Sequence, residues 1–138
     1  MKIKNQVVGL ELARQLKKLG VKQDSLYYWH SCLYTDSKRH HNYLNNLNKV
    51  PDYPNPSAIQ SEEIYSAFTV SELGELLPDA VATYRYETYD DDRDIWACIK
   101  YVEGNHEKYE YVVHTKTEAN VRAKMLIYLL ENKIRNLK

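Results

Sequence analysis

Four side chains able to bind a metal lie close together in this sequence: His30, Cys32, His40 and His41. A His-x-Cys followed by a His-His pair could in principle supply four zinc ligands. The spacing matches no zinc finger, however, and adjacent histidines diverge in regular structure, so incidental histidines are expected. Asp90, Asp92 and Asp94 stand at i, i+2 and i+4, like the first half of a calcium loop. Ile95 and Tyr101 occupy the positions of the turn glycine and the distal glutamate, which leaves an acidic turn between strands. Cys32 and Cys98 are the only cysteines and form no scaffold or redox motif, so they are expected as reduced thiols, with Cys98 buried mid-strand. Gly9, Gly20, Gly74 and Gly104 are scattered and build no phosphate loop. No nucleophile and base are paired by spacing. The expectation is therefore action without catalysis, cofactor or metal, with a small enzyme of unrecognised site kept as an alternative.

Tyrosine is the compositional anomaly, with 13 residues against one phenylalanine. Tyr84, Tyr86, Tyr101, Tyr109 and Tyr111 all fall on expected strands. Covered by the last helix they are core, with hydroxyls at the rim; uncovered they form an amphipathic surface of the kind enriched at interfaces. Alternation makes Ile95, Ala97 and Ile99 the natural core side of their strand, which leaves Trp96, Cys98 and Lys100 on the other. Tyr84, Tyr86, Trp96 and Lys100 are accordingly the candidate contact surface, for an unidentified protein partner or a second copy in a homodimer.

The 138 residues carry 19 basic and 19 acidic side chains, so the formal net charge is zero. A uniformly basic field of the kind that drives non-specific nucleic-acid binding is absent. Neutrality conceals asymmetry: residues 1–58 hold nine Lys and Arg against four Asp and Glu, and residues 59–138 hold ten against fifteen. That dipole could favour head-to-tail association or docking on a charged partner. No apolar run is long enough to span a bilayer, and Met1-Lys2-Ile3-Lys4-Asn5-Gln6 lacks the apolar stretch of a signal peptide, so a cytoplasmic location without membrane contact is expected.

The elements that must position these residues follow from periodicity. Leu12, Ala13, Leu16 and Leu19 share one helical face, and Gly20 supplies the stop. Residues 25–34 are aromatic-rich and read as a strand. Residues 35–58 hold three of the four prolines and five asparagines, and read as a long loop or insertion with at most a short strand or helical turn around Tyr43 to Leu47. Thr69 and Glu72 have capping-box spacing ahead of a short helix over 70–77, stopped by Pro78. Strands follow over 81–89, 95–102 and 108–114, the last two joined by a hairpin. Thr115 and Glu118 form a second capping box, opening a helix that carries Ala119, Ala123, Leu126, Leu130 and Ile134. The fold class is α+β: a single domain with an antiparallel sheet of three to five strands, helices packed against it and a long C-terminal helix. The first strand is expected to join the three-strand meander rather than stand alone. Residues 10–29 and 70–86 echo one another faintly, as reused units rather than a duplication.

Three segments resemble the layout of small uncharacterised phage and prophage proteins of the gut Bacteroidales type. They are Leu10-Glu11-Leu12-Ala13 with Leu16 to Val21 and Tyr27-Tyr28-Trp29; Ala67-Phe68-Thr69-Val70 with Leu73 to Pro78; and Thr117-Glu118-Ala119 with Arg122-Ala123-Lys124-Met125-Leu126-Ile127. The resemblance implies a cellular setting and no reaction. A second likeness is topological. The order helix, three strands, helix over residues 70–134 is similar to double-stranded RNA-binding domains, and Thr115-Lys116-Thr117-Glu118-Ala119-Asn120 looks like the start of their last helix. In that family lysines there grip phosphates. Only Lys116 matches a basic position; Thr117 and Asn120 replace the others, and Glu118 opposes binding. The resemblance makes Lys116 and Arg122 the candidate nucleic-acid contacts, although the balance of charge disfavours them. The expectation drawn from the whole sequence is a small accessory protein acting by protein contact, with RNA binding and an unrecognised enzyme site as alternatives.

Overall fold

Apolar residues at helical spacing and a glycine stop produce the first helix. α1 (Leu10–Lys18) buries Ala13 and Leu16, and it ends where Gly20 adopts φ 88° and the Val21 amide donates back to the Leu16 carbonyl. The computed structural model describes residues 2–35, 39–46, 51–53, 55–87, 94–102 and 104–136. After α1 it runs through β1 (Tyr27–Tyr34), β2 (His40–Asn46), β3 (Ile59–Ser66), α2 (Val70–Leu76), β4 (Val81–Glu87), β5 (Asp94–Val102), β6 (Asn105–Thr115) and α3 (Glu118–Asn136). The architecture is α+β, with a long C-terminal helix and, among the described residues, two antiparallel three-stranded sheets ordered β2-β1-β3 and β4-β5-β6.

The first sheet corrects two expectations. β1 does not join the meander; it is the centre of its own sheet, so both its edges are paired. Within 35–58 the short strand allowed around Tyr43 is present as β2, but it starts earlier, at His40, and pairs along β1 from Leu33↔His40 to Tyr27↔Asn46. Its composition hides it: Asn is a poor strand former, and beside the backbone ladder the contacts across the pair are the Tyr34 ring edge-on to His41 and the Tyr34 and Tyr43 hydroxyls 2.9 Å apart. β3 escaped the sequence reading altogether. Its Glu62 and Glu63 look like loop chemistry, yet on an edge strand such charges discourage pairing with foreign strands. Leu47 and the Asp90-Asp91-Asp92-Arg93 part of the expected acidic turn lie outside the described residues.

Both α-β-β-β units start with a helix, but their strand orders differ, which agrees with reuse rather than duplication. In the second unit, α2 opens on the expected capping box: the Glu72 amide donates to Thr69 Oγ1 at 3.2 Å and the Thr69 amide to Glu72 Oε1 at 2.9 Å. α3 opens differently. Its cap is Thr117, whose Oγ1 accepts from the Asn120 amide, while Thr115 remains in β6 opposite Trp96 and donates to the Thr117 carbonyl.

α3 is apolar on two opposite sides, as a helix buried between layers must be. Ala119, Ala123, Leu126 and Ile127 pack with Ala13 and Leu16 of α1, Leu73 of α2, Val8, Phe68 and Tyr65, with Trp29 alongside. Val121 and Met125, both fully buried, pack on Cys98 of the second sheet with Tyr128 and Leu129 beside them. Each such side chain contributes about 1.5–3 kcal/mol of apolar burial. A strap over Val7 and Val8 ties the two regions. Val7 bridges Thr69, Trp29 Nε1 donates to the Val8 carbonyl at 2.8 Å, and the Gly9 amide donates to Asn120 Oδ1 at 2.8 Å. No helix among the described residues is long and apolar enough to cross a membrane.

Candidate functional site

Side chains alternate across a strand, so the helix that covers one face of β4-β5-β6 leaves the other bare. α3 lies over Cys98, with Trp96, Val81, Val113 and Tyr111 completing that side. This reverses the expected parity: Ile95, Ala97 and Ile99 point away from α3, and Trp96, Cys98 and Lys100 point towards it. The reason is that both faces are apolar once three strands are read together, and the aliphatic alternation of one strand alone could not say which face the helix takes.

The outer face carries Ala82, Tyr84 and Tyr86 of β4, Ile95, Ala97 and Ile99 of β5, and Val112 and His114 of β6, in register with one another. A shift in pairing at Lys100/Tyr101 adds Tyr109 to it. Tyr111 pairs with Lys100 on the helix side and stacks on Tyr128 of α3 at 3.8 Å, whereas Tyr109 pairs with Tyr101 on the outer side. Tyr84, Tyr86 and Tyr109 are 47%, 44% and 61% exposed, which amounts to roughly 300 Å² of aromatic surface. The Tyr84 and Tyr101 hydroxyls lie 3.2 Å apart, and that contact, ahead of partial burial, pushes the Tyr101 phenol up. Tyr86 meets His114 edge-on at 6.0 Å. None of these outer positions is Asp, Glu, Lys or Arg, in a chain that is 28% charged.

The four residues chosen from sequence for a contact surface thus divide. Tyr84 and Tyr86 stand on the open face. Trp96 packs on the α3 side, and Lys100, whose Nζ donates to the Tyr101 carbonyl at 2.8 Å and lies 3.8 Å from Glu110, is held there. The tyrosines divide too: Tyr111 is packed, and Tyr84, Tyr86 and Tyr109 are exposed. The bulge that separates Tyr109 from Tyr111 has no signal in residue type, because it is a matter of count. Lys116 is exposed and shares a groove of about 340 Å³ with Trp96 and Val70. Arg122 is turned inward: its Nη2 donates to Glu118 Oε2 at 2.7 Å, its Nε is buried, and its guanidinium lies against Gly74.

The far face of the first sheet gathers His30, Cys32, His41 and Glu62, with Tyr53 laid over them. His40 is on the opposite side, near Ser31 Oγ. Glu62 Oε1 accepts from Tyr53 Oη and meets His30 Nδ1, each at 2.8 Å. Burial opposes ionisation of Glu62, but these two hydrogen bonds prevail and hold its carboxyl below the ordinary value. Burial, then the Glu62 charge, pushes the Cys32 thiol up, so it is protonated at neutral pH and a poor nucleophile. Burial likewise raises Cys98. Among the described residues no three His, Cys, Asp or Glu side chains converge as a metal site. The cluster fastens Tyr53 to the sheet.

The chain matches no family model, no curated protein and no solved structure. Geometry alone then speaks to function. An uncharged aromatic sheet face can bury area at low cost in side-chain entropy and offer phenol hydroxyls to a partner's backbone.

Proposed function

We propose that this protein is a non-catalytic accessory protein of phage or prophage type that acts in the cytoplasm by protein–protein contact through the outer face of β4-β5-β6. One observation carries the proposal: among the described residues, α3 covers one apolar face of that sheet and leaves open the other, which is rich in tyrosine and holds no charged side chain at the paired positions named above. Charged residues are depleted and tyrosine is enriched at the centres of interfaces. The partner is a protein with a flat, weakly charged surface, or a second copy meeting the face across a two-fold axis.

The test is site-specific. A photo-crosslinker replacing Tyr109 is expected to label a partner in host lysate, one replacing Lys124 on the exposed side of α3 is not, and Tyr84→Lys with Tyr86→Lys abolishes capture. Equal labelling from both positions, or capture that survives both lysines, would falsify the proposal. Light scattering of the purified chain separates self-contact from contact with another protein. A second reading, binding of duplex RNA, is favoured by the α2-β4-β5-β6-α3 order and the exposed Lys116, and weakened by the pairing of Arg122 with Glu118. A gel shift at low salt that Lys116→Glu abolishes would promote it; no shift removes it.

A further inference from the structure

A groove of about 430 Å³ opens between the segment after α1 and helix α2, with Phe68 at its floor. Leu26 and Leu76 both line it and are 60% and 46% exposed, which leaves aliphatic surface open to solvent there. The carboxylates Asp24, Glu72 and Glu75 line it against one lysine, Lys22. Glu72 is occupied by the Thr69 and Leu26 amides, so Asp24 and Glu75 are the charges free to meet a ligand. The groove therefore fits an aliphatic anchor flanked by cations.

The chain presents such a segment elsewhere. Ile3 is 43% exposed in a short 3₁₀ turn, between Lys2 and Lys4, which are exposed and make no ion pair among the described residues. Within one molecule the segment is anchored away from the groove. Val7 is bridged to Thr69, and Asn5 and Gln6 lie beside Val70 and Trp96, whereas the groove is lined by Glu72, Glu75 and Leu76, on another side of α2 from Val70. We infer that Lys2, Ile3 and Lys4 of a second copy dock in the groove, Ile3 between Leu26 and Leu76 and the lysines towards Asp24 and Glu75. The contact is heterologous, joining different surfaces of the two copies, so it propagates head to tail instead of closing as a dimer. It buries less than about 1,200 Å² and is transient. It is separate from the sheet face proposed above.

Sedimentation of the full chain over a concentration series tests it, at about 0.01 M salt, where charges act over about 30 Å, and at about 1 M, where they act over about 3 Å. The weight-average mass is expected to rise with concentration at low salt without levelling at a dimer, and to fall back at high salt. Ile3→Ser and Glu75→Lys, both at exposed positions, are each expected to weaken association about tenfold or more. Combining Glu75→Lys with Lys4→Glu in one chain is expected to restore part of it. Tyr86→Lys is expected to leave it unchanged, which keeps a failure here distinct from a failure of the sheet-face proposal. A strict monomer at millimolar concentration overturns the inference, as does association that survives Ile3→Ser or that Tyr86→Lys removes.

Discussion

Replacing Gly74 with alanine should destabilise this protein, and the same replacement should stabilise it once Arg122 is gone. Gly74 lies inside α2, where alanine gains about 1 kcal/mol of helix propensity. A methyl group there, however, would overlap Arg122 Nη1. The guanidinium must shift to make room, and because Nη2 of the same group holds the Glu118 carboxylate at 2.7 Å, with both side chains about three-quarters buried, that bond is the expected cost of the shift. A charge-assisted hydrogen bond of this kind is worth about 1.5–3 kcal/mol, so its loss outweighs the propensity gain by roughly 0.5–2 kcal/mol. In an Arg122→Ala background the obstacle is absent, and Gly74→Ala should stabilise by about 0.5–1 kcal/mol. Urea denaturation of the four chains in the cycle gives both numbers and their coupling. If Gly74→Ala stabilises the parent as much as it stabilises the Arg122→Ala chain, with coupling under about 0.5 kcal/mol, then Arg122 is not wedged between α2 and α3 and its placement as a structural residue is wrong. It would then be free again for phosphate contact.

Met125→Ala, on the fully buried side of α3, should cost about 2–5 kcal/mol, while Tyr84→Ser on the open sheet face should cost under about 1 kcal/mol; equal costs would mean that α3 covers the other side. Asn120→Ala removes the acceptor of the Gly9 amide and should cost about 1–3 kcal/mol, with faster hydrogen exchange at Gly9 as its local signature. Because the folded Glu62 carboxyl lies below its ordinary value of 4.5, its hydrogen bonds stabilise the fold fully above pH 4.5, and that contribution fades as pH falls through the folded value. Glu62→Gln should therefore be less stable than the parent at neutral pH, with the two melting curves converging on acidification; a constant gap down to the acid limit would contradict the assignment. Thr69→Ala should lower stability by about 1 kcal/mol through the lost cap, and Thr69→Ser should restore most of it.

The helices and the meander were legible in the sequence because their signals are local. Thr69 and Glu72 cap α2 by their spacing, and Ala13 and Leu16 give α1 its buried stripe, whatever the rest of the chain does. The cap of α3 moved from Thr115 to Thr117 because β6 extends through Thr115 to pair with Trp96, a long-range demand that local spacing does not contain. The start and length of β2, and the whole of β3, were illegible for the same reason. His40, Asn42 and Asn45 favour turns, and Glu62 and Glu63 favour solvent, yet β1 between them has two edges to satisfy and recruits both. The candidate surface was half legible. Tyr84 and Tyr86 could be chosen by type, but assigning Trp96 and Lys100 to their side needed the knowledge of which face α3 covers, and Tyr109 needed the pairing shift opposite Tyr101.

The two opposite apolar sides of α3 bear on how the protein is made. Synthesis runs from the amino end at about 5–20 residues per second, so every strand leaves the ribosome before α3, which shields the second sheet on one side and packs on α1 and α2 with the other. α1 is made before the first sheet and packs on its Tyr65 side, but for some seconds the Cys98 side of the other sheet and the residues of α1 and α2 that meet α3 lack their cover, which arrives when residues 118–136 emerge. A stalled or truncated nascent chain ending before Glu118 would display both apolar faces of β4-β5-β6 where the finished protein displays one, and would depend on chaperones for as long as it persists.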